Sequence, residues 1–186
     1  MYPVLSGGSS LRKIEFLCIY NRKTDELYEL NEEGFYFLLN LDGTKSLKDL
    51  SYDKEFLDFL LKEGVIEIIK KPTYRKPILR TSPVPSLRYL EVQITGRCNL
   101  SCKHCYIEER LGDMDLSLFT KIVDEFEEMG GLRLMVSGGE PTIHRNFEKI
   151  VDILSSERYT FRRVLLTNGI IYRGFIKEGF DEVQVS

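Results

Sequence analysis

The sequence contains no apolar run approaching the ~20 residues that a membrane-spanning helix requires. Its N-terminus also lacks a basic-then-apolar signal segment, offering instead Pro3 and the small residues Ser6-Gly7-Gly8-Ser9-Ser10. A cytoplasmic protein with no membrane partner is expected. Proline is sparse and glycine no more than ordinary, 6 and 14 in 186 residues, which excludes a collagenous or low-complexity chain. Excess charge is small: the formal net charge is -3, with 13 basic against 13 acidic residues in 1–80 and 13 against 16 in 81–186. Neither half carries the basic field that binding to phosphates needs, so no nucleic-acid partner is expected. Cysteine is scarce and unevenly spread: of four, Cys98, Cys102 and Cys105 fall within eight residues while Cys18 stands alone. That is metal spacing rather than a disulfide framework, and it suits a reducing compartment.

What is present is a globular balance, 42% apolar and 30% charged residues, sufficient for a sizeable core. The length admits one large domain or two small ones, and the pattern favours two. In residues 13–20, Ile14, Phe16, Cys18 and Tyr20 alternate onto one face, and a second apolar-polar run follows at 27–30, which predicts a β-hairpin. Asn31-Glu32-Glu33 opens a helix ahead of Phe35, a short second helix is expected over 46–50, and Phe56, Leu57, Leu60 and Leu61 mark a third. Gly64 is placed to cap that helix, and residues 65–69 return as a strand. Residues 1–70 therefore read as a small α+β, winged-helix-like domain.

Residues 71–86 hold Pro72, Pro77, Pro83 and Pro85 among Lys71, Arg75, Lys76 and Arg80, a composition that cannot continue a helix or a central strand. They read as a linker whose charges are solvated. From residue 87 the rhythm changes to strand, loop, helix, repeated. Strands are expected at 89–94, 132–136, 164–167 and 183–186, with helices marked by Phe119, Ile122, Val123 and Phe126, by Phe147, Ile150, Val151 and Leu154, and over 170–178. The class is α/β: alternation of this kind builds a parallel sheet or barrel with functional residues at the carboxyl ends of its strands.

The chemistry-bearing residues fall at those ends. After the first strand, Cys98, Cys102 and Cys105 are spaced by three and two residues, a set of soft donors suited to iron-sulfur or zinc. A closed zinc site wants four ligands, and His104, between two of the thiols, would be strained as the fourth. Three ligands on a cubane leave one iron open to a small molecule. The second strand ends in Ser137-Gly138-Gly139-Glu140-Pro141, where the glycines permit close approach to the backbone and Glu140 can accept from an ammonium. Thr167-Asn168-Gly169 follows the third strand and Ser186 the fourth. Arg97, Lys103, Tyr106 and His144 lie near these loops, His144 as a helix-entry residue rather than a base, and Cys18 reads as a small buried strand residue.

The Cys98-x3-Cys102-x2-Cys105 loop resembles the signature of the radical S-adenosylmethionine (SAM) enzymes, and Gly138-Gly139-Glu140-Pro141 resembles that family's GGEP motif. The resemblance implies a 4Fe-4S cluster on the three cysteines and SAM as cofactor. It also implies that His104 lies beside the adenine, that Gly138, Gly139 and Glu140 receive the amino group, and that Thr167, Asn168 and Ser186 contribute further contacts. An electron donor such as a ferredoxin or flavodoxin would reduce the cluster, and SAM would be cleaved to methionine and a radical that removes a hydrogen from the substrate.

Residues 25–34, Leu41-Asp42-Gly43-Thr44 and the helix ending Leu61-Lys62-Glu63-Gly64-Val65-Ile66 resemble the recognition domains of peptide-modifying radical SAM enzymes. Such domains take a leader peptide as an added strand on the hairpin edge, against the third helix. The family's core has about six βα units. Only residues 86–186 resemble it, four strands in all, so a fragment, or association that completes the barrel, is expected. No cysteine follows Cys105, which leaves no auxiliary cluster in this stretch. Two rivals remain: maturation of a small cofactor or partner enzyme, and a non-catalytic peptide-binding module with structural zinc.

Overall fold

The computed structural model describes residues 1–105, 107 and 112–186. Two units are distinguished, Met1–Ser86 and Leu87–Ser186.

In the first unit, β1 (Tyr2–Leu5), a strand the sequence pattern did not predict, pairs antiparallel with β5 (Ile66–Ile69). The second sheet has the order β4-β3-β2-β6, from β2 (Ser9–Lys13), β3 (Leu17–Asn21), β4 (Glu26–Glu29) and β6 (Leu79–Thr81). The expected single strand over 13–20 is interrupted. A tight turn, in which Ile14 N donates to Phe16 O, folds β2 back onto β3, so the alternation at Ile14, Phe16, Cys18 and Tyr20 spans a turn as well as a strand. The expected linker also differs: Leu79–Thr81 pairs parallel with β2 inside residues 71–86. It does so at the sheet edge, a position that tolerates prolines on either side of the strand.

Helix α1 (Glu32–Leu39) starts where the Asn31 side chain accepts from Gly34 N, and α2 (Lys54–Lys62) where Asp53 accepts from Phe56 N. Gly64 follows α2 at φ 62°, the left-handed cap its position suggested. The expected helix over 46–50 is a single 3-10 turn, Leu47–Asp49. The core of this unit joins Leu11 and Ile19 of the sheet to Phe35 and Leu38 of α1 and Leu57 and Leu60 of α2.

The second unit is a four-stranded parallel sheet in chain order: β7 (Tyr89–Gln93), β8 (Arg133–Ser137), β9 (Arg162–Thr167) and β10 (Glu182–Val185). Its connections carry α3 (Leu116–Glu128), α4 (Phe147–Leu154) and the short α5 (Ile176–Gly179), shorter than the 170–178 expected. Phe119, Val123 and Phe126 turn one stripe of α3 inward, and Phe147, Ile150, Val151 and Leu154 do the same for α4. Both stripes pack with Leu134, Val136 and Leu165 of the strands in one core. Because the strands are parallel and adjacent in chain order, their carboxyl ends lie along one edge of the sheet.

Candidate cluster and cofactor site

A cavity of about 340 Å³ opens at that edge. It gathers Cys98, Cys102, His104 and Cys105 from the loop after β7, Gly138 and Gly139 after β8, Thr167 and Asn168 at the end of β9, and Ser186 after β10. Every residue singled out as a site candidate lines it except Glu140. Leu100, Ile107 and Leu166 supply apolar wall. All three cysteines are free thiols, Cys102 and Cys105 exposed and Cys98 half-buried. Cys98 Sγ receives Leu100 N at 3.4 Å, Cys105 Sγ lies 3.9 Å from Ile107 O, and Cys105 N donates to Cys102 O in a turn. Among the described residues no three His, Cys, Asp or Glu side chains already converge in a common coordination geometry. The donor set itself, three soft thiols on one loop, fits an iron-sulfur cluster with one iron open. Tyr106 lies outside the described residues.

The glycines have a second task beside the one their sequence suggested. Gly138 sits at φ 151°, and a Cβ there would stand 2.3 Å from Thr95 O; a Cβ on Gly139 would stand 2.2 Å from Arg97 O. What approaches them closely is the base of the cysteine loop. Gly139 N donates to Thr95 O and Glu140 N to Arg97 O, both at 2.8 Å, so backbone bonds seat the loop on the end of β8.

Glu140 differs more. It is fully buried, and its Oε1 accepts from Thr142 N, Thr142 Oγ1 and Thr167 Oγ1, while Oε2 accepts from Asn168 N at 2.7 Å. With these bonds its carboxylate is engaged by the chain itself, tying the end of β8 to the end of β9, which is at odds with its accepting from a ligand ammonium. Asn168 Nδ2 in turn donates to Asn99 Oδ1 at 2.7 Å, linking β9 to the cysteine loop.

Sequence reasoning missed Asp113. Its side chain, 6% exposed, accepts from Thr95 Oγ1 at 2.7 Å, from Arg97 Nε at 3.0 Å, from a second Arg97 nitrogen at 2.7 Å, and from Arg145 N at 3.0 Å. Burial pushes the carboxyl upward. The bonds from Arg145, Thr95 and Arg97, with His144 nearby, outweigh it and hold the group at about 2. Arg97 also donates to Ile143 O, so one ion pair fastens the cysteine loop to the turn after β8. Only the folded chain brings these groups together, because Asp113 is an ordinary acidic residue in the sequence. His144 is occupied on both ring nitrogens: Nδ1 accepts from Asn146 N, so Nε2 carries the proton donated to Met114 O.

Residues 92–186 match the family model of the radical SAM superfamily. The chain is similar to the antilisterial bacteriocin subtilosin biosynthesis protein AlbA of Bacillus subtilis, 28% identical over 171 residues that cover 80% of this chain and 37% of AlbA. It is also similar to a tungsten-containing aldehyde ferredoxin oxidoreductase cofactor-modifying protein of Pyrococcus furiosus, 43% identical over 70 residues, 35% of this chain and 20% of that one. The crystal structure of Streptococcus suis SuiB bound to precursor peptide SuiA shares the fold, with a TM-score of 0.62 at 16% identity over 95% of this chain and 45% of SuiB. The chain spans less than half the length of each of these relatives.

Proposed function

Because the chain belongs to the radical SAM superfamily, we propose that it supplies the peptide-recognition domain and the cluster-binding half of a barrel to an enzyme that modifies a precursor peptide. The superfamily works with a 4Fe-4S cluster and SAM. When bound, they supply the electron and the hydrogen-abstracting power that the side chains lack. In this reading Cys98, Cys102 and Cys105 hold the cluster. The clamp of Thr95, Arg97 and Asp113 fixes where the loop presents it. His104, the backbone at Gly138 and Gly139, and Thr167, Asn168 and Ser186 surround SAM, while Leu100, Ile107 and Leu166 keep water from it. Glu140 acts through the strand ends it joins.

The observation that carries this reading is the single cavity at the carboxyl ends of four parallel strands, into which three separate motifs converge. The front unit is read as a winged-helix-like domain that takes a leader peptide along β4, beside α2. The coverage of the relatives supports it: the likenesses to AlbA and SuiB extend over 80% and 95% of the chain and so include residues of the front unit. Maturation of a small cofactor is the second reading, favoured by the cofactor-modifying relative. That likeness covers only 35% of the chain, against the 80% covered by the likeness to AlbA.

The test is anaerobic reconstitution with iron and sulfide, followed by electron paramagnetic resonance of the reduced protein with and without SAM. A cubane signal that shifts on adding SAM is expected. Zinc bound in its place, with no cluster formed, would move the assignment to a non-catalytic binding module.

A further inference from the structure

The first unit holds a cavity of about 480 Å³ that the cluster chemistry does not use. It lies where β4 runs into α1, beside the start of α2. Its walls include the rings of Phe37, Phe56 and Tyr52, the first two with centroids 6.2 Å apart, and three carboxylates, Glu29, Glu33 and Asp53, also line it. Among the described residues none of the lining side chains is a lysine or arginine.

Two helix N-termini meet here, yet an anion is not what they await. Asn31 caps α1 by accepting from Gly34 N, and Asp53 caps α2 by accepting from Phe56 N. One first-turn donor of each helix is thus engaged by the chain's own oxygen, and Glu29 and Glu33 beside them are exposed carboxylates without an ion-pair partner among the described residues. Aromatic walls beneath an acidic rim accommodate one kind of side chain: an apolar stem carrying a cationic head.

The strand beside the cavity has the edge to deliver it. β4 has β3 as its one strand neighbour. Leu30 N donates to Leu17 O, so with antiparallel alternation Tyr28 bonds inward to Ile19, and Leu27 and Glu29 turn their backbone groups outward. A peptide added along β4 would pair with Leu27 and Glu29, and Glu29 also lines the cavity.

We propose that this cavity is a specificity pocket for an arginine or lysine side chain of a peptide bound along β4. The inference rests on the peptide-recognition reading and adds the chemistry of one residue of the partner. The probe is a phage-displayed library of random 12-residue peptides selected on the full chain, with the best binder resynthesised with arginine or lysine replaced by an uncharged analogue, citrulline or norleucine. Enrichment of one basic position is expected, with affinity falling about tenfold on neutral replacement. A similar loss is expected for Glu29→Gln and Glu33→Gln, but not for Glu32→Gln, a neighbouring acidic residue outside the cavity. Peptides that shift the Leu27 and Glu29 amides without basic enrichment, or bind as well when neutral, would overturn the pocket and leave peptide recognition standing. A library that yields no binder at β4 would overturn both.

Discussion

Asp113→Asn removes one charge from the clamp beneath the cysteine loop and changes little in size. The carboxyl is held at about 2 against an ordinary 3.8, and at ~1.4 kcal/mol per pKa unit this corresponds to about 2 kcal/mol favouring the folded state. The side chain is only 6% exposed, but its partner Arg97 is 48% exposed, so water compensates part of the loss and ~2 kcal/mol is an upper figure. Because the folded pKa is depressed, this stability is fully present above pH 4 and is lost as pH falls through about 2. Urea unfolding followed by circular dichroism at several pH values, on both proteins, reads the effect. The variant should be less stable by about 1–2 kcal/mol at pH 7, and the two curves should converge as pH approaches 2. A difference that stays constant with pH would refute the argument, since the charge of Asp113 would then not be its source. Equal stability at pH 7 would refute the clamp itself.

Cys102→Ala should abolish bound iron and sulfide after reconstitution while the circular dichroism of the front unit persists; retained iron and sulfide would remove the cluster assignment. Gly139→Ala places a Cβ 2.2 Å from Arg97 O and should lower both the melting temperature and cluster occupancy, whereas Gly174→Ala, which meets nothing within 4 Å, should leave both unchanged. Glu140→Gln leaves at least one buried donor facing an amide N–H and should cost about 1–3 kcal/mol in denaturant unfolding. Amide signals of Asn168 and Thr142 that fail to move in that variant would contradict the strand-joining role of Glu140.

The motifs at the strand ends were legible because local pattern and fold agree there. The spacing of Cys98, Cys102 and Cys105, the Gly138-Gly139 pair and the alternation of strand and helix all express short-range constraints, and the parallel sheet carries them to one edge. Legibility failed where a residue's partner is far away in sequence. Leu79–Thr81 looked like connector because its pairing with β2 bridges about 68 residues. The periodicity over 13–20 concealed a turn, because a β-turn between strands need not interrupt alternation.

By itself, then, the sequence determined the alternating strands and helices of the second unit, the helices α1 and α2 and the cysteine loop, since hydrophobic period, capping residues and ligand spacing act over a few positions. Only the tertiary structure decided what Gly139, Glu140 and Asp113 do. Seating a loop on a neighbouring strand, joining two strand ends with one carboxylate and fastening a loop with an ion pair depend on groups brought together by chain crossing, and no local pattern records that proximity.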